Sequence, residues 1–474
     1  MKIISMTFKI SSLTTMAILM IGISSFAGFS AGCASPSENP VDQSQNNQND
    51  IAGSSGLAGT SGGSGSFETG GNAGSEEIIS TGGISGTGGN LASGGGTTEL
   101  GGYSGSGGTS GTSGSSGSGG QPLATPLQLA LGNIHICNLL SNGLIKCWGS
   151  NYFGQAGDGN LADTTAPVIV SGITQGIAVS AGNSHSCAVL NDGSVQCWGS
   201  NHYGQLGDGT TTDRRTPVTL SSITNATSIS SKEINTCVLL RDGHIKCWGE
   251  NVTGKLGNGT TTDSRVPVMV SNINTAIAVS MGGAHACSLL NNGSIQCWGG
   301  NTSGQLGDGT TTMRSTPVSV SNITNAIAIT AGSSHTCALL NDGRVKCWGN
   351  NIYGQLGNAT QTNTSLPVTV STITNAIEIS AGEFHTCALL RDGHVRCWGH
   401  NSNGQLGDGT TTQSLTPVES LGITTATTVR SSYSNTCITI SYGHVQCWGN
   451  NGAGQLGDGT LTDSTRAVTV LGLN

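Results

Sequence analysis

The stretch HSCAVLNDGSVQCWGSNHYGQLGDGT, residues 185–210, carries two cysteines ten positions apart, a histidine two before the first, and Trp-Gly directly after the second. The same line recurs along the chain on seven cysteine pairs: Cys137 and Cys147, Cys187 and Cys197, Cys237 and Cys247, Cys287 and Cys297, Cys337 and Cys347, Cys387 and Cys397, Cys437 and Cys447. Each pair is followed by Trp-Gly, and the period is fifty residues throughout. Within a unit, Ile177-Ala178-Val179-Ser180 and His185-Ser186-Cys187-Ala188-Val189-Leu190 precede the turn Asn191-Asp192-Gly193. Ser194-Val195-Gln196-Cys197-Trp198-Gly199 follows, then a polar loop and Pro217-Val218-Thr219-Leu220. Period-two apolar spacing, Val and Ile enrichment and an Asx-Gly turn mark about three or four short strands per unit. Multi-stranded repeats of this length pack as radial blades of a β-propeller. An open solenoid would need atypical capping units at its ends, whereas the first and last units here are nearly as regular as the rest. The expected fold is therefore all-β, a seven-bladed β-propeller over 122–474.

The residues before the repeats have a different character. Lys2 and Lys9 open the chain, an uncharged apolar run extends from Ile10 to about Phe29, and FSAGCAS follows. A short charged start, an apolar middle and a small-residue cleavage zone have the form of a secretory signal over 1–33. A run of this length could also serve as a retained membrane anchor, but its Ser, Thr and Gly content argues for the signal. From 34 to 121 the chain is dominated by Gly, Ser, Thr and Asn, with seven acidic residues and no Lys or Arg. Such a segment buries too little apolar surface to offset its chain entropy, so it reads as a disordered tether. Its 88 residues would reach roughly 50 Å as a flexible coil.

Charge follows the same boundary. Seven of the 25 acidic residues lie in the tether and two of the 17 basic ones in the signal, which leaves 18 and 15, a net charge of −3, for the repeats. With 9% charged residues overall, no basic face for nucleic acid is evident.

Two resemblances sharpen this reading. Ser30-Ala31-Gly32-Cys33 resembles the lipobox of bacterial lipoproteins, in which the cysteine is cleaved free and lipidated. Ser30 departs from the aliphatic residue usual there. Fifteen cysteines minus Cys33 leaves fourteen in seven regular pairs, so Cys33 has no partner in the repeat and lipidation would account for it. The stretch HTCALLNDGRVKCWGNNIYGQLGNAT, residues 335–360, resembles the repeat of the regulator of chromosome condensation family. That resemblance covers the region after the tether and implies a seven-bladed propeller. Ala156, Lys255 and Asn358-Ala359 depart from the family line.

Taking Asn191-Asp192-Gly193 as a three-residue hairpin loop places Leu190 opposite Ser194 and Cys187 opposite Cys197. Only a non-hydrogen-bonded antiparallel pair brings opposed Cβ atoms close enough for a disulfide. An exported chain meets oxidising conditions, so one cross-strand disulfide is expected in every unit. The competing reading is zinc, with His185, Cys187 and Cys197 as three ligands on one surface. The repeats argue against it: units three and seven keep both cysteines but have Asn235 and Asn435 where the others have His135, His185, His285, His335 and His385. In the same two units Lys232 and Ser432 replace a glycine, so histidine and glycine serve one local arrangement, with the imidazole bonded to a neighbouring strand or blade. A Cys/His nucleophile is weaker still, since paired cysteines offer no thiolate. The GDGTTTD loops suggest calcium, but Asn358-Ala359 and Met313 break the oxygen series, which favours a turn scaffold. The Trp after each second cysteine should fill the gap between blades.

A position that varies among units is free of the shared structural demand. Variation concentrates after each W-G-x-N, and the large residues there, Tyr152, Phe153, His202, Tyr203, Ile352 and Tyr353, are the candidate partner-binding positions. The alternative is that they cover adjacent loops. Arg214, Arg215, Arg265 and Arg314 lie in a second variable loop, diluted by Asp213 and Asp263. No acid or base stands out for the propeller axis, so no catalytic residue, metal or cofactor is expected. The expected function is a monomeric, non-catalytic binding module for proteins or envelope polymers, held in the bacterial envelope by an N-terminal lipid. Two alternatives follow from the family resemblance: an exported inhibitor like the propeller that blocks β-lactamases, and nucleotide exchange on a small GTPase.

Overall fold

The computed structural model describes residues 124–473 apart from Tyr442, and the signal, lipobox and tether readings lie outside them. Among the described residues twenty-eight strands form seven four-stranded antiparallel sheets, each built from four strands consecutive in sequence. In the first blade these are β1 (Pro126–Leu131), β2 (His135–Leu140), β3 (Ile145–Gly149) and β4 (Thr164–Ile169). The alternation seen in the sequence sets the layers. The first strand of every blade lines an axial channel, the middle two are almost wholly buried, and the fourth is the half-exposed outer edge. Among the described residues no strand passes from one blade to another. The ring closes because β1 packs against the first two strands of the last blade, Ala426–Ser432 and Asn435–Ile440.

The cysteine hairpin follows the register expected from the turn. Leu190 N–H donates to the Ser194 carbonyl, and three pairs further on Cys187 faces Cys197 at a non-hydrogen-bonded position. The same pairing holds in every blade. Cys137 with Cys147, Cys187 with Cys197, Cys237 with Cys247, Cys287 with Cys297 and Cys387 with Cys397 have Cα separations of 4.0 Å. Cys337 with Cys347 and Cys437 with Cys447 stand at 4.1 Å, and in all seven pairs the sulfurs are at bonding distance. All fourteen cysteines are fully buried, so each pair doubles as apolar filling for its seam.

Blades are joined by tryptophan. Each indole is 0% exposed, and its Nε1–H donates to a main-chain carbonyl of the preceding blade. Trp198 bonds Gln155, Trp248 Gln205, Trp298 Lys255, Trp348 Gln305, Trp398 Gln355 and Trp448 Gln405, at 2.8–2.9 Å. Trp148 closes the ring on Gln455 at 3.0 Å. The glycine two residues after each of these carbonyls is the docking surface: a Cβ on Gly157 would lie 2.7 Å from Trp198 Nε1, and the same holds within 0.1 Å at Gly207 through Gly457. The invariant spacing W-G…G-Q-L-G is thus one inter-blade joint seen from its two sides.

Mass spectrometry of the native protein, alkylated without reduction, should find no free thiol among the fourteen repeat cysteines. Replacing Cys187 and Cys197 together by Ala should lower unfolding free energy in denaturant titration by at most about 2–3 kcal/mol, the chain-entropy value for an eleven-residue loop.

Candidate functional site

The histidines belong to the seams. His335 Nε2 lies 2.9 Å from Thr386 Oγ1 of the next blade, and that hydroxyl donates at 3.0 Å to the Gln355 carbonyl. The hydroxyl proton is thereby committed, so the imidazole is the donor and carries its hydrogen on Nε2. The pattern repeats for His135 with Ser186, His185 with Thr236, His285 with Thr336 and His385 with Thr436, at 2.7–2.9 Å. A Cβ on Gly332 would sit 2.1 Å from the His335 ring, which explains why glycine and histidine occur together. Burial depresses the imidazoles, His135 to about 4 and the other four to about 3.

The two exceptions complete the rule. Asn235 precedes a blade with Ala286 where the others have a hydroxyl, and Asn435 precedes Ile136. Histidine is present in the five units whose successor offers Ser or Thr and absent in the two whose successor does not. Asn235 instead turns its amide onto the Glu250 carbonyl of its own blade. This covariation was available in the sequence, one residue before each first cysteine, and would have identified the imidazole's partner.

The loop after each W-G is a scaffold around a buried asparagine. Asn201 Nδ2 donates to the carbonyls of Thr210 and Thr212, and its Oδ1 accepts from Leu206 N–H. The Asp208 carboxylate is taken by Thr210, Asn201 and Arg214, so these bonds use the oxygens that a calcium reading would require. Arg214 and Arg314 pair with Asp208 and Asp308 of their own loops at 2.9 and 3.4 Å.

These loops and the turns between first and second strands lie on one face, joined by bonds such as Ser200 N–H to the Ser184 carbonyl at 2.8 Å. The candidate binding residues are here, in two groups. Phe153 packs edge-on against Tyr152 at 4.9 Å and against His202 of the next blade at 5.8 Å between ring centroids. Tyr353 meets His400 at 4.6 Å and Phe384 at 5.3 Å, both from the next blade. Tyr152 is 73% exposed, Tyr203 50% and Ile352 49%, while Phe153 and Tyr353 are half-buried beneath them. Tyr203 and Ile352 join neither ring group. Phe384 and His400 were not singled out in the sequence, although both stand at positions that differ in every neighbouring unit.

The axis departs from expectation. Glu378 and Arg430, each non-repeated, form an ion pair in the channel wall, and Glu378 also accepts Val429 N–H at 2.8 Å. At the channel mouth on the aromatic face, Lys232, Glu233 and Tyr433 line one small cavity. Glu383 joins them, its N–H donating to the Tyr433 carbonyl at 3.0 Å and its carboxyl raised to about 7 by burial and by Glu233. Repeat alignment concealed these residues because Glu378, Arg430 and Lys232 each stand alone in their columns, while Glu233, Glu383 and Tyr433 fall in one variable column; only ring closure gathers them.

Fold and face together define a closed propeller built from W-G-x-N…G-Q-L-G blades, with non-repeating residues collected on one side. The RCC1-like domain model matches residues 236–473, and the regulator of chromosome condensation (RCC1) repeat matches 142–189, 192–231 and 177–205. The chain belongs to this RCC1-like repeat family. No curated protein matches its sequence significantly. Among solved structures, yeast RCC1 (Prp20), solved bound to Kap60, superposes with a TM-score of 0.62 at 19% identity over 70% of this chain and 84% of that one. Prp20p from Saccharomyces cerevisiae, studied for its binding to Gsp1p and histones, gives 0.62 at 20% identity over 70% and 87%. Human WBSCR16 gives 0.60 at 21% over 65% and 85%. At these identities the likeness establishes the fold.

Two outcomes test the seam. Thr386→Ala should cost about 1–3 kcal/mol by stranding the buried His335 donor, and His335→Asn combined with Thr386→Ala should recover part of the loss in a double-mutant cycle. The unfolded chain binds protons on five imidazoles that the folded state keeps neutral. Stability should therefore fall as pH drops below about 6.5 toward about 4, by at most about 1.4 kcal/mol per pH unit for each imidazole, and stay level just above that range.

Proposed function

We propose that this chain is an exported, non-catalytic binding module, lipidated at Cys33 and tethered to the bacterial envelope, that holds a protein partner on its aromatic face. The observation that carries the reading is the pair of aromatic groups, Tyr152-Phe153-His202 and Tyr353-Phe384-His400, built on one face from positions the fold leaves free. Exposed aromatics on a rigid scaffold supply contact area at little entropic cost and are enriched among residues that dominate binding energy. An envelope polymer is the partner class that would compete with a protein. A second reading, an exported enzyme inhibitor, is favoured by the same patch, because an inhibitor needs a preformed convex surface. Prp20p is associated with Gsp1p and histones, but the fifty-residue spacing of this chain admits no protruding insertion to act on a GTPase.

Photo-crosslinkers placed at residues 152 and 353 on intact cells should capture one discrete partner, while a crosslinker at Asp342, an exposed hairpin tip on the opposite face, should not. Capture through Asp342 alone would reverse the assignment. Replacing Tyr152 and Phe153 together by Ala should weaken capture by about tenfold or more, as loss of a central aromatic anchor does. Cys33→Ala should release the protein from the detergent phase into the aqueous one.

A further inference from the structure

The axial channel is unusual in what its donors lack. Around the axis, Ser180, Ser230, Ser280, Thr330 and Ser380 each accept the main-chain N–H of the next blade's first strand, from Ser231, Met281, Ala331, Ala381 and Ser431, at 2.7–3.0 Å. None of these five hydroxyls donates to an acceptor among the described residues, so each has a proton left to give within a cavity of about 340 Å³. The ladder stops at the blade 7 position, where Arg430 is already paired to Glu378.

Lys232 stands at the open end of this wall. Gly132, Gly182, Gly282, Gly332 and Gly382 occupy the same position in five other blades, and their lack of side chains leaves room for one long one. Lys232 lies deep in the mouth, with part of its surface open to the channel. Among the described residues its Nζ forms no hydrogen bond or ion pair; burial holds the amine below the usual lysine range, and Glu233 and Glu383, beyond contact distance, offset that only in part. The backbone is bent to make this mouth. Glu233 and Tyr433 both hold positive φ, 50° and 38°, in the tight turns that follow Lys232 and Ser432, a conformation that is costly for non-glycine residues.

We propose that the channel mouth is a binding site for a single carboxylate, received by the Lys232 ammonium, the Tyr433 hydroxyl, the Glu383 carboxyl and the hydroxyls of the channel wall. Unspent hydroxyl donors, and a buried amine whose protonated form an adjacent carboxylate would favour, select an acceptor-only ligand. The cavity admits a small group and not a folded chain, so the carboxylate comes either from a free small acid or from the C-terminus of a partner. The groups facing Glu383 are Lys232 and Glu233 from blade 3 and Tyr433 from blade 7, whose phenol is pushed up by burial and by both carboxylates. His335 and His385, also near Lys232, stay neutral. An added carboxylate beside Glu233 is accommodated when Glu383 takes up a proton, so binding weakens as pH rises through about 7.

Isothermal titration of the full chain with succinate, and with a tetrapeptide bearing a free C-terminal carboxylate or its amide, tests this. Saturable binding of succinate would identify a free-acid site, and binding of the free-terminus peptide alone would identify a partner's C-terminus. Either should weaken by up to about tenfold per unit above about pH 7. Lys232→Gly, which restores the residue of five other blades, should lower affinity by about tenfold or more, and Lys232→Met should do the same while keeping the side-chain volume. Glu383→Gln should bind with a flattened pH profile. Absence of saturable binding for both probes, undiminished affinity in both Lys232 variants, or binding of methylammonium in place of the acids would overturn the proposal. Failure here would leave the aromatic-face reading intact, since the crosslinks at 152 and 353 do not pass through the channel.

Discussion

Seven indole N–H groups hold this ring together. Each blade would expose one apolar flank if it stood alone, and the Trp that covers the flank also spends its polar atom on the neighbour's main chain. An indole buried without a partner would cost much of what its area contributes, so the Gln155-type carbonyl and the Gly157-type surface must arrive at the same place in every seam. That demand explains why the sequence is repetitive in spacing as well as in composition. It also explains why the ring closes without exchanging a strand: the joint between Trp148 and Gln455 is chemically the same as the six others.

The histidine triads add a second, optional bond to that obligatory one. They are missing at the seam between blades 3 and 4 and at the closing seam between blades 7 and 1, and the two seams differ. At the first, Lys255 replaces Gln, pairs with Glu250 at 2.7 Å and reaches the Gly283 carbonyl of the next blade at 3.2 Å. At the closing seam nothing of that kind appears among the described residues, and Lys146 reaches the Gly472 carbonyl from the outer side instead. Both exceptions free the glycine position beside the missing imidazole. Lys232 uses that freedom to enter the axis, and Glu233 and Tyr433 use it to bend toward it. Loss of a structural bond and gain of a non-repeated polar group are one event in the fold.

Fold, blade number and hairpin register were legible in the sequence because they rest on local spacing: a three-residue turn determines which cysteine faces which, and a fifty-residue period determines the count. The role of His335 was half legible. Its link to glycine could be read from blades 3 and 7, but its partner Thr386 lies 51 residues away and is seen only by comparing each unit with its successor. The aromatic candidates split in the same way. Tyr152, Phe153 and His202 were found because they lie in two adjacent variable columns, whereas Phe384 and His400 come from two other columns and meet Tyr353 only across a seam.

By itself the sequence determined the all-β repeat, the cysteine register and the interfacial place of tryptophan, since each follows from contacts within one unit or from a demand common to all seven. Tertiary structure alone decided what the unique residues do. Glu378 with Arg430, and Lys232 with Glu233, Glu383 and Tyr433, stand up to 201 positions apart, and although 233, 383 and 433 share one repeat column, nothing local joins them to Lys232. A closed ring brings equivalent positions of distant blades to one axis, and that convergence is a property of the closure, not of any segment of the chain.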